Sequence, residues 1–253
     1  MTSKVTFSVI APIVEILVSP LGHGMIGRAI EKNKLEVNLI PLHKFGKGVH
    51  AAIDDKPYGG GAGMVLSYGP IKQAINYAQE NFGGFSGAYI LSPSGIPFTQ
   101  KMANEMLINK NNLIISGRYE GIDERVKQII PMQEISIGDY VLSGGELAAA
   151  VIIDTVTRLI PDVLGNDLSL SSESFDNNLL DYPSYTRPEE VDGLRVPEVL
   201  LSGDHAMIER WRRMMRIYST IKNRPDLRAM DSLDDEERVL IEGLLESKDI
   251  TES

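Results

Sequence analysis

Through residue 161 the chain alternates short apolar runs with segments of helical periodicity, and that alternation restricts the fold more than any other feature. Val5–Ile10, Leu35–Ile40, Ala88–Leu91 and Leu113–Ser116 are short, largely apolar runs that read as buried strands. Residues 70–79, 99–108 and 145–160 read as helices, the first opening on Pro70 and Ile71, where an initial turn tolerates proline. Alternation of this kind predicts an α/β domain with a mainly parallel sheet. The first twenty residues place Lys4 before an apolar stretch, as a secretion signal would. Glu15 interrupts that stretch and no small-residue cleavage pattern follows, so it reads as a buried strand leading into a helix.

Beyond Asp162 the pattern changes. Residues 162–197 are rich in Ser, Asp, Asn and Pro with little periodicity, which predicts a linker. Two helices are expected after it, at about 203–222 and 232–247, the second behind a Ser232 cap with an acidic first turn. The expected organisation is a main domain over 1–161, a linker over 162–197 and a small helical domain over 198–253. The longest apolar run, Leu147–Ile153, is too short to span a bilayer, so no membrane partner is expected.

A net charge of −10 argues against a general nucleic-acid binder, but the charge is unevenly spread. Residues 208–230 carry Arg210, Arg212, Arg213, Arg216, Lys222, Arg224 and Arg228 against only Glu209 and Asp226. The acidic excess is concentrated in the segment that follows. A basic stretch beside Trp211 and Tyr218 is compatible with a surface that tracks phosphates, and equally with a solvated helix face. The chain has no cysteine, which excludes disulfides, thiolate metal sites and thiol nucleophiles and fits a reducing cytosol.

Three glycine-bearing strings stand out: Tyr58–Gly63, Gly117–Gly121 and Ser136–Glu146. None has the Gly-Lys-Ser/Thr ending of a phosphate loop, and none is a dinucleotide fingerprint opening a helix after the first strand. Their plain reading is tight turns between strands and helices. The second and third fall near expected strand ends, where α/β proteins hold ligands. Backbone groups there can read an adenine edge, with Ile137, Tyr140 and Leu142 flanking a flat ring.

Longer strings carry a specific resemblance. Pro57–Met64, Gly117-Arg-Tyr-Glu-Gly-Ile-Asp-Glu-Arg125, Ser136-Ile-Gly-Asp-Tyr-Val-Leu-Ser-Gly-Gly-Glu146, Tyr185-Thr-Arg-Pro188 and Val199–His205 resemble, in order and spacing, motifs of the bacterial tRNA (guanine-N1)-methyltransferases. The resemblance runs from about residue 24 to 213. It implies a knotted α/β domain of the SPOUT class, a flexible linker and a small helical C-terminal domain that binds tRNA. It implies a cytoplasmic homodimer whose active sites lie at the subunit interface. It also implies S-adenosylmethionine as methyl donor, N1 of the guanine immediately 3′ of the tRNA anticodon as acceptor, and magnesium dependence, although no metal-ligand motif is visible.

Carried onto this sequence, the resemblance assigns the donor to Leu91, Ser92 and Pro93, to Gly117, Tyr119 and Glu120, and to Ile137, Gly138, Asp139, Tyr140, Val141, Leu142, Gly144 and Gly145. The family's catalytic arginine falls on Arg158, which by spacing alone would simply pair with Asp154 on the same helix. Its catalytic aspartate falls on Glu173, one methylene longer, with Asp167 as the alternative base. Other departures are Ala11-Pro12-Ile13, where the family has phenylalanine before the proline and glutamate after it, and Ala148, where it has proline. Two further readings stay open at this point: a SPOUT methyltransferase acting on another RNA or base, and a non-catalytic RNA-binding protein that keeps the fold.

Overall fold

Strand β1, Val5–Ala11, is buried along almost its whole length because it lies inside a sheet covered on both faces. The computed structural model describes residues 4–163, 174–175, 178–227 and 233–246. They divide into two compact units, Met1–Gly165 and Asn166–Ser253.

In the first unit β2 (Leu35–Pro41), β5 (Gly87–Pro97), β6 (Asn111–Ser116) and β7 (Gln133–Ser136) join β1 in a five-stranded sheet of order β2-β1-β6-β5-β7. Every pairing in it is parallel. A short antiparallel pair, β3 (Asp54–Asp55) and β4 (Val65–Leu66), lies apart from it. Alternate residues divide the sheet into two apolar faces. Phe7, Val9, Tyr89, Leu91, Ile114 and Ile135 pack under α1 (Glu15–Gly22), α2 (Gly24–Glu31), α4 (Gln100–Asn109) and α5 (Glu146–Arg158). Ile10, Ile40, Ala88, Ile90, Leu113 and Ile115 face α3 (Tyr68–Phe82) through Ile71, Ala74, Ile75 and Ala78. Helices on both faces of a parallel sheet are the expected α/β class.

The four expected strands are present, and so are all three helices expected before residue 161. β7 was not expected. Its sequence, Gln-Glu-Ile-Ser, has no apolar run, and the strand exists because β5 supplies a pairing edge. No helix among the described residues is long and apolar enough to cross a membrane.

The second unit contains the hairpin pair β8 (Glu190–Val191) and β9 (Leu194–Arg195), then α6 (Glu198–Leu201), α7 (His205–Asn223) and α8 (Asp235–Glu246). Asp204 caps α7 by accepting the Ala206 and Met207 N–H groups at 3.0 and 3.1 Å. A small core of Leu179, Ile217 and Ile241 holds the unit together.

Candidate active site

β6, β5 and β7 are neighbours in the sheet, so the loops leaving their C-terminal ends meet at one edge. Such an edge is where open α/β sheets bind ligands. β5 contributes first. Leu91 pairs with Ile135, and after Ser92-Pro93-Ser94-Gly95 leaves the sheet, Ile96 pairs with Ile135 again. Gly95 is required by this excursion, since a Cβ there would lie 2.4 Å from the Ile135 nitrogen.

After β6, the Gly121 N–H donates to the Arg118 carbonyl at 3.1 Å, closing a turn that holds Tyr119 at φ 57°. A non-glycine residue in that region is strained, which concentrates at ligand-binding turns. The segment after the first glycine cluster braces this turn. Glu120 N–H donates to Met64 O at 3.0 Å, and Leu66 N–H donates to Gly121 O at 3.0 Å.

After β7, Ser136 Oγ and the Gly138 N–H lie 3.2 Å apart, and the Tyr140 N–H donates to Gly138 O at 2.9 Å. The chain then returns to β6. Gly144 bridges Arg118, and the Gly145 N–H donates to Gly117 O at 2.8 Å immediately before α5 begins. Gly145 has no room for a side chain, because its Cβ would stand 3.0 Å from Ser116 Cα and 3.1 Å from the Gly117 nitrogen.

The three loops enclose a cleft of about 260 Å³. Leu91, Ser92, Pro93, Gly117, Tyr119, Glu120, Ile137, Gly138, Tyr140, Val141, Leu142, Gly144 and Gly145 line it together. Asp139 does not: the bond from Tyr140 to Gly138 folds the chain tightly around it and leaves its side chain in solvent. Arg118, Asp123, Lys127 and Glu134 also line the cleft and escaped sequence reading. Arg118 and Asp123 sit inside the string Gly117–Arg125 and were within reach of it. Lys127 and Glu134 have no local signal. Their pairing is tertiary: Lys127 Nζ lies 2.7 Å from Glu124 and 3.0 Å from Glu134, and these carboxylates hold its pKa above the ordinary value. Asp123 is held below the usual carboxylate range by its hydrogen bonds with Arg125.

A match to the family model described as tRNA (Guanine-1)-methyltransferase TrmD covers residues 5–230. The chain belongs to the tRNA (guanine-1)-methyltransferase family. A tRNA (guanine-N(1)-)-methyltransferase of Caldanaerobacter subterraneus subsp. tengcongensis is 49% identical over 232 residues, covering 92% of this chain and 95% of that protein. One from Pelotomaculum thermopropionicum is 44% identical over 234 residues, 92% of this chain and 93% of the relative. The crystal structure of the tRNA (m1G37) methyltransferase from Aquifex aeolicus is similar with a TM-score of 0.73 at 42% identity. It covers 91% of this chain and 97% of its own.

Within this tRNA (guanine-1)-methyltransferase, Arg158, one of the two residues expected to be catalytic, is not in the cleft wall. Arg158 is half-buried at the far end of α5. At 1.5 Å per residue it stands roughly 15 Å along the axis from Ala148, which lines the cleft. Glu173 and Asp167 lie outside the described residues.

Glu146 was not expected to matter, yet it ties the site together. It is completely buried at the start of α5, where a carboxylate also suits the helix dipole. It accepts from Arg118 Nε at 3.0 Å and from the Ile13 N–H at 3.2 Å, linking α5, the β6 turn and the segment after β1. Glu146→Ala leaves the half-buried Arg118 without its carboxylate and the Ile13 N–H without its acceptor, and loss of one partner of a buried pair costs up to about 3–5 kcal/mol. Urea unfolding should show a loss on that scale. A loss below about 1 kcal/mol would mean the pair is not a structural clamp.

Proposed function

We propose that the chain transfers a methyl group from S-adenosylmethionine to N1 of the guanosine immediately 3′ of the tRNA anticodon, giving N1-methylguanosine. The observation that carries this reading is the three-loop cleft, formed by the same strings that resemble the family's donor site. Its chemistry fits the donor. Gly117, Gly138 and Gly144 bring backbone close to the ligand space without side chains in the way, and Leu91, Ile137 and Leu142 supply apolar walls. Glu120 adds a carboxylate to the lining for a ligand that is cationic at its sulfonium and amino groups, whereas Asp123 and Glu134 are already paired with Arg125 and Lys127. The donor supplies an already activated methyl group, so the protein's task is alignment.

Guanine N1 carries a hydrogen and is a poor nucleophile, so a base must reach it. Glu173 takes that role, and Arg158 stabilises the charge that develops on O6. An anticodon loop presents its bases unstacked more cheaply than a duplex does. Among the described residues no group of three His, Asp or Glu side chains converges to hold a metal ion.

The first unit is read as the knotted SPOUT domain, a reading supported by its parallel α/β sheet and its place in the family. We read residues 162–197 as the connection that carries the carboxylate, its later part packed into the second unit through Leu179 and the β8–β9 hairpin, and residues 198–253 as the tRNA-binding domain. The enzyme works as a homodimer in the cytoplasm. Arg158 stands roughly 15 Å along α5 from the cleft-lining Ala148, a placement that suits service to the cleft of a neighbouring chain.

The decisive test is mass spectrometry of nucleosides after incubating unmodified tRNA with the protein and S-adenosylmethionine. N1-methylguanosine should appear, and should vanish when the guanosine after the anticodon is replaced. A different methylated nucleoside would sink the reading.

A further inference from the structure

Two of the sequence strings are left unused by the donor cleft: Tyr185–Pro188 and Val199–His205. Within the second unit residues of both border another cleft, of about 700 Å³. Leu200 and Ile208 belong to its apolar floor, and Tyr182, Tyr185 and Trp211 to its walls. The Tyr185 and Trp211 rings meet at 6.4 Å and 53°, so neither covers the other's face, and Tyr185 is 49% exposed. Two cations sit beside these rings. The Arg212 guanidinium lies 4.9 Å from the centre of the Tyr182 ring; its Nη1 donates to Glu209 Oε1 at 2.6 Å, while its Nε is shielded from solvent without a hydrogen-bond partner. Arg187 is exposed at the rim, with Glu189 as the lining carboxylate.

We propose that this cleft receives one unstacked nucleotide of the tRNA, its base against Trp211 and Tyr185 and its phosphate toward Arg187 and Arg212. The proposal rests on tRNA being the substrate. Aromatic faces stack any base, and arginine offers a planar fork suited to phosphate. The volume lies in the range that holds a small ligand. Charge complementarity favours nucleic acid over an apolar protein segment: the floor belongs partly to α7, which carries Arg210, Arg212, Arg213, Arg216 and Lys222 against Glu209 on its own length, with Arg213 also paired to Glu237 of α8.

Trp211 is the chain's single tryptophan, so its fluorescence reports on this cleft alone. Titrating the full-length protein with unmodified tRNA should quench that emission. In a series of tRNAs each carrying one abasic nucleotide in the anticodon arm, one should lose the quench and bind more weakly. Trp211→Ala should weaken tRNA binding about five- to a hundredfold, the range of one base–aromatic stack. Trp211→Phe should stay within a few-fold of wild type, and Tyr185→Ala, at a half-exposed position, gives a second loss that does not hinge on the fold surviving the tryptophan change. A tRNA that is bound and methylated while Trp211 emission stays constant would overturn the cleft assignment and leave the methylation reading standing. Emission that shifts with protein concentration and ignores RNA would assign the cleft to a second copy of the chain, and also overturn the proposal. Failure of tRNA to be methylated or bound at all would remove both readings together.

Discussion

Glu173→Ala should slow single-turnover methyl transfer to tRNA by on the order of 10²-fold or more, the usual scale for loss of a general base. The hydrogen on guanine N1 must leave as the methyl arrives, and nothing else assigned to the site removes it. S-adenosylmethionine affinity, measured by calorimetry, should barely change, because the cleft proposed to hold the donor is lined by the loops around β5, β6 and β7. A fall in kcat and kcat/KM together, with donor binding intact, marks an interaction made in the transition state. Glu173→Asp should keep substantial activity. The two acids differ by only about 0.4 in reference pKa, so the driving force for proton removal is nearly the same. Shortening the side chain by one methylene restores the length usual in the family. If Asp167→Ala proved crippling and Glu173→Ala harmless, the base would have to be moved to Asp167.

The parts of this molecule that were legible in the sequence are those whose signal is local. β1 and β6 read as strands because a parallel sheet buried on both faces needs continuous apolar runs, and α5 read as a helix from its spacing. β7 was invisible, because Gln133–Ser136 becomes a strand only beside β5. The strand order β2-β1-β6-β5-β7 is likewise a property of long-range pairing. In the cleft, the glycine strings announced close backbone approach, and Gly145 shows why: its neighbours are the backbone atoms of Ser116 and Gly117. Asp139 shares a string with true lining residues, and only the turn geometry separates it from them. Glu134 and Lys127 belong to the cleft through a pairing across seven residues and two elements, which no motif encodes.

The last expectation concerns the distance between Arg158 and its own cleft. If the site is composite, a chain supplies its donor cleft to one site and its Arg158 and Glu173 to the other. Gly138→Trp should block the cleft. Gly138 sits at φ 151°, and a Cβ there would already lie 2.4 Å from the Tyr140 ring. Alone, Gly138→Trp and Glu173→Ala should each be close to inactive. Mixed and allowed to exchange, about half of the dimers carry one chain of each kind under two-fold symmetry. In each of these, the cleft of the alanine chain faces the intact glutamate of the tryptophan chain, so one site of two works. Activity should therefore recover to about a quarter of wild type. Gly138→Trp mixed with Arg158→Ala should recover to the same extent. Arg158→Ala mixed with Glu173→Ala should not recover, since each site then lacks one of the two groups donated together. Circular dichroism of each variant establishes that the chains are folded, and co-purification of two differently tagged chains establishes that exchange has occurred. With exchange confirmed, no regained methyl transfer in either Gly138→Trp mixture would place each site wholly within one chain. Arg158 would then have to act through a rearrangement of α5 and not across the interface.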